Sequence, residues 1–134
     1  MAITDAAGLP IALRTDSARP HEVTLVASTL AARFSHRPPI QRLIADKAYD
    51  SDPLRVALAQ QGIELIAPHR RGRVKSPTQD GRKLRRYKRR WKVERFFAWL
   101  HHYRRCVLRW DFYQENFLGF VQLATISILL KKFF

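Results

Sequence analysis

The sequence predicts an α/β fold, and three observations carry that expectation. Strand and helix patterns alternate between Arg42 and Ala67, which implies a parallel strand pair joined by a crossover helix. A hairpin pattern precedes them at the N-terminus. From Arg82 onward turn-forming residues disappear and aromatics recur at helical spacing, which predicts a long helix.

Taken in order, Met1–Thr4 reads as a strand, Asp5-Ala6-Ala7-Gly8 as a turn and Leu9–Thr15 as the returning strand. Arg19-Pro20-His21-Glu22 precedes a run with apolar residues at Val23, Leu25, Val26, Leu30 and Phe34, which predicts a helix closed by a loop at Ser35–Pro39. Arg42-Leu43-Ile44-Ala45-Asp46 is a short strand of buried type. Asp52 is the expected N-cap of the next helix, with Pro53 at its first position; the helix runs Leu54–Gln61 and stops at Gly62. Ile63–Ala67 is another apolar strand. Residues 69–81 hold two glycines and a proline without apolar periodicity and read as a mobile basic loop. Residues 82–107 form the long basic helix, and 114–132 an apolar terminal helix.

At 134 residues and 15.7 kDa the chain has room for one core. With 46% hydrophobic residues it is too apolar for a disordered basic tail. One cysteine, Cys106, excludes a disulfide framework and a cysteine zinc site and suits a reducing cytoplasm. The N-terminus carries no secretory pattern. The apolar stretch Phe117–Leu130 is interrupted by polar residues and falls short of a bilayer span, so a buried helix and no membrane partner are expected.

The formal net charge is +14, from 25 Lys+Arg against 11 Asp+Glu. All of that excess lies between His69 and Arg109; the rest of the chain is neutral. A basic loop feeding a basic helix suits phosphate contact, and a nucleic acid is the expected partner. Arg70, Arg71, Arg73 and Lys75 in the loop, with Arg86, Lys88, Arg89 and Lys92 in the helix, are the candidate contacts.

Few acids stand at special positions. Asp46 closes an apolar strand, where α/β folds display functional groups, and equally reads as the cap of the turn Lys47-Ala48-Tyr49. Asp50 and Asp52 read as turn and cap residues. Glu94 is the only acid between Gly81 and Trp110. One reading makes it a surface ion pair with Arg90. In the other, at about 100° per residue, Tyr87, Arg90, Glu94 and His101 share one helix face, beside an apolar face of Val93, Phe96, Phe97 and Leu100. Two carboxylates near a cationic surface suit a divalent ion held jointly with substrate phosphate, a job for which a third carboxylate is expected.

Asp46-Lys47-Ala48-Tyr49-Asp50-Ser51, followed by Tyr87, Arg90 and the run Glu94-Arg95-Phe96-Phe97-Ala98-Trp99-Leu100, resembles the bacterial insertion-sequence DDE transposases, specifically the insertion sequence five group. The likeness extends to Asp5, Gly8-Leu9-Pro10, Ala18-Arg19-Pro20-His21-Glu22, Tyr103-Arg104-Arg105 and the apolar last helix. It implies a ribonuclease-H-like catalytic core ending in a long helix pair, which cuts transposon ends and joins them to target DNA. Three acids hold Mg²⁺ or Mn²⁺ in that family; Asp46 matches the second and Glu94 the third, as both catalytic and metal-binding residues. Tyr87 and Arg90 match positions near the DNA phosphates, and His101 stands where the family often has a lysine. The strand bearing the first acid has no counterpart here, and Asp5 is a turn residue. The resemblance therefore implies residues 1–134 are a partial catalytic domain, inactive alone, that lacks its first central strand and leaves the hairpin and the parallel pair without a common partner. Self-association or an upstream-frame product is the expected protein partner, and the cytoplasm the expected location. The alternative is a non-enzymatic basic DNA-binding subunit or regulator.

Overall fold

The fold is seen in a computed structural model that describes residues 1–17, 19–34, 38–79 and 81–133. Ala18, Asp80 and the stretch Ser35-His36-Arg37 of the expected loop lie outside the described residues. The architecture is mixed α/β, with a two-stranded antiparallel sheet and a separate two-stranded parallel sheet. The chain divides into two compact units. The first comprises Met1–His21, Leu25–Arg37 and Lys92–Phe134, the second Glu22–Thr24 and Pro38–Trp91.

In the first unit, β1 (Ala2–Thr4) pairs with β2 (Pro10–Leu13), Ala2 opposite Leu13 and Ile3 opposite Ala12. The turn between them is built by Asp5, whose Oδ1 accepts from the amides of Ala7 (2.8 Å) and Leu9 (2.9 Å). Gly8 closes it at φ +85°. A Cβ at Gly8 would stand 2.8 Å from Arg95 Nη2 and 3.3 Å from the Lys92 carbonyl oxygen, so both backbone and space demand glycine. Gly8→Ala is expected to destabilise the protein by about 1–2 kcal/mol, read as a lower urea midpoint at unchanged slope. A neutral outcome would contradict the turn geometry.

Helix α1 (Val26–Ala31) is entered through a 3₁₀ turn at Glu22–Leu25 and is shorter than its apolar pattern suggests. Beyond it the chain pairs with β2, Phe34 donating its amide to the Ile11 carbonyl (3.0 Å). The unit's core joins Leu13 to Phe96 and Leu100 of α4 (Trp91–Leu100) and to Val121, Ala124 and Ile128 of α6 (Gln114–Phe133). These apolar residues recur at three- and four-residue spacing, so each helix turns one stripe inward. At 20 residues α6 has the length and apolarity of a membrane span, unlike the shorter run the sequence suggests, yet this stripe is buried against α4.

In the second unit, β3 (Arg42–Ile44) lies parallel to β4 (Glu64–Ile66), with Leu43 opposite Leu65. The crossover is a 3₁₀ turn at Lys47–Tyr49 followed by α2 (Asp52–Gln60), which buries Leu54 and Leu58. The N-cap of α2 is Ser51, whose hydroxyl accepts from the Leu54 amide (3.4 Å), not the expected Asp52. The Asp52 carboxylate is drawn instead to Arg73 (2.8 Å). Gly62 ends the helix at φ +74°, its amide bonded to Ala59 and that of Ile63 to Leu58.

The single helix expected over 82–107 is broken. It comprises α3 (Gly81–Leu84), a 3₁₀ stretch at Arg85–Arg89, α4, and α5 (Arg104–Val107) after a turn at His101–Tyr103. Arginine and lysine are good helix formers, but here they repeat at three- and four-residue spacing and repel. Nothing between Gly81 and Arg89 is buried to offset that repulsion. Regular helix resumes where Phe96 and Leu100 enter the core.

Candidate active site

Asp46 follows β3 directly. The Ala45 amide continues the sheet by donating to the Ile66 carbonyl (3.0 Å), and Asp46 then leaves it in an extended conformation. Its Oδ1 accepts from the Ala48 amide (2.7 Å), which fixes the carboxylate over the following 3₁₀ turn. Its second oxygen has no hydrogen-bond partner among the described residues, and the first makes the cap that the sequence suggests. Burial, then the charge of Glu22 and a hydrogen bond to it, then the charge of Asp46, push the Tyr49 phenol well above its ordinary range. Tyr49 therefore stays neutral beside Asp46.

Asp50 is a densely connected acid, with a side chain only 3% exposed. Its Oδ1 receives Arg55 Nη2 (3.0 Å) and His69 Nδ1 (2.9 Å), with Arg73 Nη1 at 3.5 Å; its Oδ2 receives the Arg70 amide (3.0 Å). Thr78 donates its amide to His69 Nε2 (3.1 Å), so the ring proton sits on Nδ1 and is donated to Asp50. Burial alone would raise the Asp50 pKa, but the Arg70 amide, His69 and Arg55 outweigh it and hold it at about 2. Arg55 also donates to the carbonyls of Leu65 (3.0 Å) and Ala67 (2.9 Å).

The basic loop has no regular structure, yet its cations are largely engaged within the unit. Arg73 grips Asp52 at 2.8 and 3.1 Å, and Lys75 lies 3.6 Å from the same carboxylate while remaining 78% exposed. Arg70 donates Nε to the Lys47 carbonyl (3.2 Å) and Nη2 to that of Ala48 (2.7 Å). Arg71 is exposed and has no ion pair among the described residues.

Of the helical candidates, Arg86, Lys88 and Arg89 are exposed on the 3₁₀ stretch. Tyr87 and Arg90 stack there, the guanidinium carbon 5.6 Å from the ring centroid, because side chains three apart eclipse in a 3₁₀ helix. Lys92 donates to the Ala6 carbonyl and Arg95 to that of Ala7 (2.5 Å), binding α4 to the hairpin turn. Glu94 is exposed in the first turn of α4. His101, just past that helix, lines a cavity of about 250 Å³ with Arg14, Asp16 and Arg109.

The second unit thus holds Asp46, Tyr87, Arg90 and the loop cations, and the first holds Glu94, Lys92 and His101. Sequence reading missed Asp50 as a hub and Tyr49 as the neighbour of Asp46. An acid in a hydrophobic-poor stretch, with a histidine and arginines some twenty residues on, was the only trace of the former. Among the described residues no three Asp, Glu, His or Cys side chains gather as a metal-holding group. Asp5 is occupied by turn amides and Asp50 by cations, so the donors described do not by themselves fit a divalent ion.

The family model described as transposase DDE domain matches residues 1–129. A relative from Burkholderia cepacia, named as a transposase for insertion sequence element IS402, is 38% identical over 133 residues; the alignment covers 94% of this chain and 59% of the relative. One from Brucella ovis, named as a transposase for insertion sequence element IS6501, is 34% identical over 132 residues, covering 97% of this chain and 95% of the relative. The chain thus spans less than two thirds of the Burkholderia protein and nearly all of the Brucella one. No solved structure matches. A family match over nearly the whole chain, with relatives 38% and 34% identical, shows that this chain belongs to the DDE transposases of bacterial insertion sequences.

Proposed function

We propose that the chain contributes Asp46 and Glu94 to a ribonuclease-H-like transposase site of the insertion sequence five group, which cuts the ends of an insertion sequence and joins them to target DNA in the cytoplasm. The observation that carries this reading is the placement of Asp46: it stands at the exit of a parallel strand, its carboxylate oriented by one amide and without an ion pair among the described residues. Divalent metal ions serve the DDE transposase family. Mg²⁺ or Mn²⁺ would be held when a third carboxylate joins Asp46 and Glu94, supplied by a second copy or an upstream-frame product. It would supply charge neutralisation at the reacting phosphodiester.

This chain's own residues bind and orient. Arg86, Lys88 and Arg89 on the 3₁₀ stretch, with Arg71 and Lys75 in the loop, offer exposed cations to DNA phosphates, and the Tyr87–Arg90 stack presents a rigid donor group beside them. His101 adds a weaker anchor than lysine would, since an imidazole offers fewer N–H donors than an ammonium.

The test is the double variant Asp46→Asn with Glu94→Gln in an element that carries this gene. Transposition should fall to background, while binding of the purified chain to duplex DNA persists or tightens. Salt should weaken that binding with a slope near −0.9 per phosphate neutralised. Transposition that survives the double variant would leave a non-enzymatic DNA-binding subunit as the function. The purified chain should not cleave transposon ends by itself, and robust metal-dependent cleavage by it would overturn the need for a third acid.

A further inference from the structure

We propose that Arg70 is a positioning residue for Asp46, clamping the turn that presents the carboxylate instead of contacting a nucleic-acid phosphate. The proposal rests on Asp46 being one of the acids at the reacting phosphodiester. Its basis is a short relay of bonds. The guanidinium of Arg70 spans two successive carbonyls, Nε to Lys47 (3.2 Å) and Nη2 to Ala48 (2.7 Å). The Arg70 amide donates to Asp50 Oδ2 (3.0 Å), so one residue grips both the start and the end of the segment Lys47–Asp50. On its other side the Ala48 amide holds Asp46 Oδ1 (2.7 Å). Ala48 is therefore bonded through its N–H to the carboxylate and through its C=O to Arg70.

A three-residue 3₁₀ turn has little stability of its own: the Lys47 carbonyl accepts the Asp50 amide (3.3 Å) from within it, and both that oxygen and the Ala48 carbonyl can take outside donors. Arg70 supplies them from a fork whose spacing a single ammonium cannot reproduce. Asp50 anchors the backbone of Arg70, because it accepts the Arg70 amide while Arg55 and His69 hold its carboxylate, which is 3% exposed. A phosphate that recruited Arg70 would strip the turn of these two bonds. Arg71, next in the chain and exposed without an ion pair among the described residues, is available for that task at no such loss.

The test reads amide hydrogen exchange by NMR and duplex-DNA affinity against salt, on the full 134-residue chain. Arg70→Ala should speed exchange at Ala48 about tenfold while Leu58 and Ile66 keep their rates, and it should leave the salt slope unchanged. Arg71→Ala should do the reverse, lowering the slope by about 0.9 with Ala48 unaffected. Should Arg70→Ala open the whole unit, Arg70→Lys decides. It keeps the charge but not the fork, so Ala48 accelerates alone if the clamp is real. Wild-type exchange at Ala48 in the variant that folds, or a slope lowered by Arg70→Ala at unchanged Ala48, overturns the proposal. Failure of the Asp46 reading itself appears elsewhere, as transposition surviving Asp46→Asn while the Ala48 response to Arg70→Ala persists.

Discussion

Asp50→Asn should destabilise the 38–91 unit by about 3 kcal/mol or more, the range for breaking a buried ion pair from one side. The amide is nearly isosteric, so packing is preserved and the lost quantity is charge. Arg55 and Arg73, with side chains 13% and 14% exposed, would be left without their shared counter-charge, and the His69 ring proton without a carboxylate. Urea denaturation followed by circular dichroism checks this; a loss below about 1 kcal/mol would match a surface pair and contradict the network. The same group sets an acid limit. Its native pKa of about 2 lies below the ordinary 3.8, so it contributes about 2 kcal/mol that is fully present above pH 4 and lost as pH falls from there toward 2. Asp50→Asn should flatten stability in that window.

Phe96→Ala should be the most damaging change in the first unit, at about 3–5 kcal/mol. Phe96 is 0% exposed and lies between Leu13 of the hairpin and the α6 stripe of Val121, Ala124 and Ile128. Removing its ring leaves a cavity where strand, α4 and α6 meet. Phe96→Leu, which keeps most of the apolar contact, should lose much less. Phe97 one position on, 41% exposed, serves as the control: Phe97→Ala should cost a fraction of the Phe96 value, and equal losses would mean α4 is rotated from the described face.

What could be read from the sequence was what short-range chemistry decides. Asp5 with Gly8 signals a tight turn, Gly62 a helix end, and the apolar runs 43–45 and 63–67 a parallel pair, because each depends on neighbours a few residues away. The cap at Ser51 was missed by one position because serine and aspartate side by side are equally good caps, and Arg73, more than twenty residues on, draws Asp52 away. The break in the basic helix was hidden because per-residue propensity favours Arg and Lys, while their mutual repulsion and the lack of buried residues emerge only with the fold in view. The role of Asp50 as a hub, beyond the turn residue it reads as, was hidden for the same reason: Arg55, His69 and Arg73 converge on it only after the α2–β4 crossover closes. Asp46 was legible as a candidate because it closes an apolar strand, and Glu94 because no other acid lies between Gly81 and Trp110.

The tryptophans give the chain a built-in optical division of labour. Trp99 is flanked by Arg95 and Lys132, at 5.0 and 4.8 Å from its ring, a cage that exists only while α4 and α6 are packed. Trp91 and Trp110 are 50% and 68% exposed, so water already surrounds much of their rings in the native state. With Trp91 and Trp110 replaced by Phe, the remaining emission tracks assembly of the first unit alone. With Trp99 and Trp110 replaced, it reports from Trp91 at the end of the cationic run, where a bound nucleic acid would quench it.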